Sequence, residues 1–334
     1  MESEPTSGLP APVNQALEKV PLGWKTKATK ALLKVVGHGY LPEKAAQISQ
    51  RLTEAEAKRT FAIELARLAA IQAAADPDLM QRTMSRLSSD EAARQANIEQ
   101  TTVKAAAQLE AMDLTDDMIV SEDIGDDWRR KFTSYVGDVS DDEMQAVWAR
   151  LLAGEIVKPN SFGFRTLRVL SELDSETAKL FAEYGNLRLR DDTIFALKEN
   201  WKSGAKFRQL ARLADAGLIE PDPNISRILK RVENRVWVMG KTYSGYLYTD
   251  VGPDEAHITI RTLTRAGSEL ASLLPYDNEP EMVRSVLQEA KSLWPNSSFA
   301  LLGPAKWVDD TCTLQSWTFL WGGQEDFLRS LGVV

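Results

Sequence analysis

The groups best suited to covalent or metal chemistry are scarce in this chain. Its 334 residues contain two histidines, His38 and His257, and one cysteine, Cys312. A lone thiol rules out a disulfide framework, and a zinc site assembled from Cys and His has too few ligands. A Ser-His or Cys-His nucleophile pair would need Cys312 or a serine to meet one of the two imidazoles across the fold, because neither histidine has such a neighbour in sequence. Ser203-Gly204-Ala205-Lys206 has the S-x-x-K spacing that sets a lysine beside a serine, but Ser203 also suits the cap of a helix starting near Gly204. Gly240-Lys241-Thr242 resembles the end of a phosphate loop. The glycine required five residues earlier is Arg235, so the cradle of amides is incomplete.

Carboxylates are concentrated in one block. Residues 1–109 carry 14 Lys/Arg and 12 Asp/Glu, residues 110–155 carry 4 and 13, and residues 156–334 carry 22 and 23, for a formal net charge of −8. From Glu110 to Asp127 the block includes Asp113, Asp116, Asp117, Glu122, Asp123, Asp126 and Asp127. It lacks the alternating oxygen spacing of a hard-metal loop and reads as a solvated linker. No cofactor or metal is therefore expected, and a non-catalytic protein is the working expectation.

Binding chemistry has better candidates. Residues 188–235 hold 11 Lys/Arg against 7 Asp/Glu, and Lys202, Lys206, Arg208 and Arg212 cluster on and just before one helix. Such a helix could neutralise phosphates from a major groove, or it could serve protein contact or packing; the second reading leads, since the sequence pI is near 5.1. Residues 22–36 place Lys25, Lys27, Lys30 and Lys34 around an apolar stripe. That segment is either a bundle helix whose lysine stems cover apolar surface or a peripheral contact for anionic lipid. Trp128, Trp148 and Leu151 recur at helical spacing among other apolar residues, as core anchors do, with ligand stacking by the tryptophans as the alternative. Glu155 is either a partner contact or a local salt bridge or cap.

The elements that must position these groups divide the chain by period. Residues 1–15 read as a disordered tail without the features of a signal peptide, and a cytoplasmic protein is expected. Residues 16–112 read as a helical hairpin or bundle, with long helices over 53–75 and 79–112, and 113–125 as the acidic linker. Residues 126–185 read as a helical core carrying W-x-x-L-L-A-G-E, with Asp127, Ser140, Ser161 and Asp174 as helix caps and Ser140 to Glu143 as a capping box. Gly154 within that motif marks a close helix contact or an early end. From residue 186 strands appear: Val236–Met239, Tyr243–Tyr248 and His257–Ile260, with Gly217 stopping a helix before them and Thr264 capping one after. This order, over 186–275, reads as a winged-helix-like α+β unit with an enlarged strand insertion. Residues 276–334 add one helix, 279–293, and strands at 299–302 and within 312–321, read as a small α+β appendage. The fold class is mainly α, with an α-helical amino-terminal half, a winged-helix-like α+β unit and a small α+β tail.

Several motifs together resemble a known family. Asp126-Asp127-Trp128, the run from Val139 to Gln145, Trp148 to Ile156, and Ser161 to Leu167 are similar to an uncharacterised bacterial family catalogued as domain of unknown function 2806. The similarity extends from about Leu22 to Leu274 and includes Arg94 to Glu99. Where that family has Pro-Gly-Ser-Phe-Ser, this chain has Pro159-Asn160-Ser161-Phe162-Gly163. The W-x-x-L-L-A helix is also similar to the core of abortive-infection proteins, which implies a role in phage defence; Glu155, where the family motif places an acid beside the loop 157–161, and Arg165 are candidate partner contacts. The expectation is a binding or sensor protein with an unknown protein partner, with homo-oligomers allowed, and a winged-helix DNA-binding regulator as the alternative.

Overall fold

The structure, a computed structural model, describes residues 9, 11–18, 20–36, 77–115, 118, 120–185, 187–189, 193–195, 204–221, 225–274, 279–309 and 311–332. The chain has a helical amino-terminal half followed by a mixed α+β region with an open sheet. It divides into two compact units, one ending at Phe162 and one beginning at Gly163.

In the first unit the described helices are α1 (Ala11–Ala16), α2 (Leu22–Val36), α3 (Pro77–Ala111), α4 (Asp126–Val136) and α5 (Asp142–Val157). The expected helix over 53–75 lies outside the described residues. Helix α3 packs on α1, α2 and α5. Its carboxy-terminal half buries Leu109 together with Thr101, Thr102, Ala105 and Ala106, whose small side chains let α5 come close. Polar residues of α3 then fix the α4–α5 turn: Arg94 pairs with Asp138, the Asn97 amide donates to the Gly137 carbonyl at 2.8 Å, and Lys104 donates to Asp142. On α4, Trp128 stacks on Phe132 at 5.2 Å, and Phe132 meets Trp148 of α5 edge-on at 5.6 Å. Trp148 and Leu151 are fully buried.

Local signals held in some places and shifted in others. Residues 11–15, read from composition as part of a disordered tail, lie with Ala16 in helix α1, where Val13 is buried. The cap of α5 is Asp141, whose carboxylate accepts the Met144 amide at 2.9 Å, so the Ser140 capping box is not formed. Helix α4 starts two residues earlier than an Asp127 cap implies, after Gly125, without a side-chain cap. Gly154 does not end α5, which continues to Val157.

The second unit contains α6 (Phe164–Ser171), α7 (Ser175–Gly185), β1 (Thr193–Phe195), α8 (Ala205–Asp215), β2 (Ser226–Val232), β3 (Arg235–Met239), β4 (Tyr243–Tyr248), β5 (Glu255–Thr262), α9 (Arg265–Ala271), α10 (Glu279–Leu293), β6 (Phe299–Val308), β7 (Thr311–Leu314), β8 (Thr318–Trp321) and α11 (Gln324–Ser330). Helices α6 and α7 thus group with the sheet, since α6 packs on α9 and α7 on α8. Gly163, not Ser161, precedes α6, while Asp174 and Thr264 cap α7 and α9 as their positions predict.

The sheet is antiparallel in every pairing and runs β1-β5-β2-β3-β4-β6-β7, with β8 also on β6. Glu233 and Asn234 turn β2 into β3 with φ of +48° and +62°, the twist that a two-residue hairpin needs. Strands β4 and β6 are hydrogen-bonded over Tyr243–Tyr248, so residues 299–321 extend the sheet formed by 226–262. Helix α10 covers one face with Met282, Val283, Val286 and Leu287 against Val236, Val238, Leu247 and Ile258. The other face carries an aromatic cluster centred on Phe299, with Tyr248 stacked at 5.2 Å and Phe327 of α11 at 5.7 Å.

Candidate functional site

The surface formed by α7 and α8 holds the described part of the basic cluster. Asp174 caps α7 by accepting the Thr177 amide at 2.7 Å, and Gly217, at φ +73°, supplies the left-handed residue that ends α8. Between these ends Arg212 reaches from α8 to α7. Its Nε donates to Thr177 Oγ1 at 2.6 Å, and its terminal nitrogens lie 2.9 Å from Asp174 and 2.9 Å from Glu176. The hydrogen bond to Glu176, then that to Asp174, raises the Arg212 guanidinium pKa. The Thr177 amide is the largest cause of the lowered Asp174 carboxyl. Arg208 is exposed and has no ion-pair partner among the described residues, and Phe207 beside it is 43% exposed. Lys202 lies outside the described residues, as does the side chain of Lys206.

A cleft of about 420 Å³ opens between the two helices, lined by Glu176, Lys179, Leu180, Glu183, Ala205, Arg208, Gln209 and Arg212. Tyr184 donates to Gln209 Oε1 at 3.0 Å, tying α7 to α8, and burial raises its phenol pKa. Both signs of charge line this cleft. A phosphate channel would instead concentrate basic groups away from carboxylates.

Glu155 occupies a different environment from Arg208. It is buried, and its two carboxylate oxygens accept the Asn160 amide at 2.7 Å and the Phe162 amide at 3.0 Å. The Trp128 indole donates to the Phe162 carbonyl at 2.7 Å. Glu155 and Trp128 thus hold the two ends of the Phe162 residue, and Asn160 adopts φ +67° within the loop. This geometry makes Glu155 an internal loop clamp. Arg165, on α6, is exposed and unpaired among the described residues.

The α2 lysines meet the acidic segment. Lys30 and Lys34 lie 2.9 and 3.2 Å from Asp123, Lys27 donates to the Val120 carbonyl at 3.0 Å, and the Trp24 indole donates to the Thr115 carbonyl at 2.8 Å. The hydrogen bond from Lys30 is the largest cause of a lowered Asp123 carboxyl pKa, and burial lowers Lys27. Residues expected to form a linker are therefore docked on the helix they neutralise.

The catalytic templates can be judged geometrically. Ser226 Oγ and His257 Nδ1 approach to 3.2 Å on an exposed part of the sheet, but no described group holds the other ring nitrogen, so the third member of a relay is missing. Backbone amides of Lys241, Thr242 and Tyr243 do converge as in a phosphate cradle, and the group they bind is the buried Glu279 carboxylate. Among the described residues no three His, Cys, Asp or Glu side chains gather to hold a metal ion, and no described helix is long and apolar enough to cross a membrane. Sequence reasoning missed Glu279 and Glu269. The latter accepts the Gly163 amide at 2.6 Å and pairs with Arg265 at 2.8 Å. Both carboxylates serve backbone groups distant in sequence, which leaves no local signal.

A helical unit followed by an α+β unit with an open sheet, with internal carboxylates clamping its turns, defines the class of protein. Residues 81–286, more than half of the chain, match the family described as protein of unknown function (DUF2806), and the chain belongs to that family. Neither the curated proteins nor the solved structures include a match to it.

Proposed function

We propose that this chain is a non-catalytic, cytoplasmic protein that binds a macromolecular partner, and that the α7–α8 surface of a winged-helix-like unit makes the contact with a protein. The observation that carries this reading is the company of the α8 cations. Arg212 is engaged by Asp174 and Glu176, whereas Arg208, unpaired among the described residues, and Phe207 are both exposed on α8. An exposed aromatic and an exposed arginine on one helix, with mixed charge around them, is the composition of protein interfaces. The strand order β1-β5-β2, with α8 following β1 and Ile219 bridged to Leu263, supports the winged-helix assignment. The strand insertion of such a unit is here enlarged by β3 and β4.

The same strand order favours a second reading, a DNA-binding regulator with α8 in a major groove. On that reading Arg208 contacts phosphate, and Arg212 must leave two carboxylates that remain beside it. A duplex-binding assay separates the two: a regulator binds at low salt and loses affinity steeply with salt and with Arg208→Glu, whereas a protein-contact module shows no such binding. A role in phage defence rests on the likeness of the W-x-x-L-L-A helix to abortive-infection proteins. Its test is phage plating on cells with and without the intact locus, neighbouring genes included; equal sensitivity removes that role.

A further inference from the structure

Residues 311–321, Thr-Cys-Thr-Leu-Gln-Ser-Trp-Thr-Phe-Leu-Trp, contain no charged residue and no proline. They form the outer strand of the open sheet, since β7 and β8 both pair with β6. Edge strands usually carry Lys, Pro or an inward charge that discourages pairing with another chain. Here the run is interrupted by a bulge around Ser316, whose carbonyl lies 1.7 Å from where a Cβ on Gly303 would sit, and by a register shift of β8 opposite Ala300 and Leu301. Strand β7 is left as a regular stretch.

The direction of its backbone groups follows from one hydrogen bond. The Gln315 amide donates to the Pro304 carbonyl at 2.9 Å, so 315, 313 and 311 turn their polar groups toward β6. Cys312 and Leu314 turn theirs outward, and among the described residues no strand meets them.

We propose that β7 of a second copy of this chain pairs there, antiparallel about a two-fold axis through Thr313. In that register Cys312 faces Leu314 of the other copy, Thr311 faces Gln315, and Thr313 faces its own equivalent. The argument for a second copy is charge. The chain carries a net −8, so copies repel in general, yet this edge places no charge against itself and sets two threonines opposite each other, a favourable cross-strand pair. The two open sheets become one.

The test introduces charge at the axis. Thr313 is exposed, so Thr313→Lys and Thr313→Glu should leave the fold intact while opposing like charges across the axis. In sedimentation velocity the parent should dimerise with rising concentration, each variant should shift to the monomer mass, and an equimolar mixture of the two should recover the dimer. The sole cysteine supplies a readout without substitution. Across this register the two Cys312 Cα atoms stand about 8 Å apart, so a short bismaleimide should link them in the parent. A parent that stays monomeric at high concentration overturns the proposal. So does a dimer indifferent to both substitutions, or one that the bismaleimide does not link.

Discussion

Removing Glu155 tests whether its carboxylate clamps a loop. In Glu155→Ala the Asn160 and Phe162 amides lose acceptors at 2.7 and 3.0 Å. A buried donor left unpaired costs about 1–3 kcal/mol, and partial opening of the loop to water relieves some of that, so a loss of roughly 2–4 kcal/mol is expected. Trp128→Phe keeps a ring over Phe132 but removes the indole donor to the Phe162 carbonyl, at a cost of about 1–2 kcal/mol. Both substitutions release the same residue. Their combination should therefore cost less than the sum, by about 0.5–2 kcal/mol. Thermal or urea unfolding followed by circular dichroism gives the stabilities, and hydrogen exchange reads the Asn160 and Phe162 amides directly. Those amides should lose protection in Glu155→Ala while the α3 amides of 101–109 keep theirs. Retained protection at 160 and 162, or strict additivity of the two changes, would refute the clamp.

Other consequences follow from packing and charge. Trp148→Ala empties a fully buried site between Phe132 and Tyr135 and should cost roughly 3–5 kcal/mol in unfolding experiments. The Asp123 carboxyl titrates below its unfolded value of about 3.9. Its contribution is thus present above that value and is lost as pH falls through the lower folded value. Because the pair is partly exposed, the difference between parent and Asp123→Asn should be at most about 1 kcal/mol near neutrality. That difference should disappear in acid and shrink with salt, as measured by unfolding at stepped pH. Gly303→Ala drives a Cβ into the Ser316 carbonyl. It should displace the bulge and destabilise the sheet by about 1–3 kcal/mol, visible as faster exchange in β8.

How far the fold could be read depended on whether the signal was local. Residues 279–293 and 243–248 form the helix and strand that periodicity predicts, with the same ends. Strand β2 escaped because Arg227, Lys230 and Arg231 break the apolar alternation, and their partners, Glu255 and Asp254 among them, come from β5 and the turn before it. The α5 cap moved from Ser140 to Asp141 since either side chain could reach an orphan amide and only the chain's path decides between them. At the candidate site the sequence named Arg208 and Arg212 but could not show that Arg212 meets Asp174 and Glu176 about 38 residues earlier. From sequence, Glu155 reads as a partner contact or a local salt bridge or cap. Its role as a clamp needed the geometry of the 158–162 loop.

Affinity capture with the intact chain, in parallel with a Phe207→Ser/Arg208→Glu variant of equal stability, tests the proposed α7–α8 contact most directly. Captures from infected and uninfected cells should be quantified by mass spectrometry, with duplex binding measured on the same preparations. The account predicts a protein captured by the parent and lost by the variant, with no salt-sensitive duplex binding by either. A capture unchanged by the two substitutions, or tight salt-dependent duplex binding abolished by them, would contradict it.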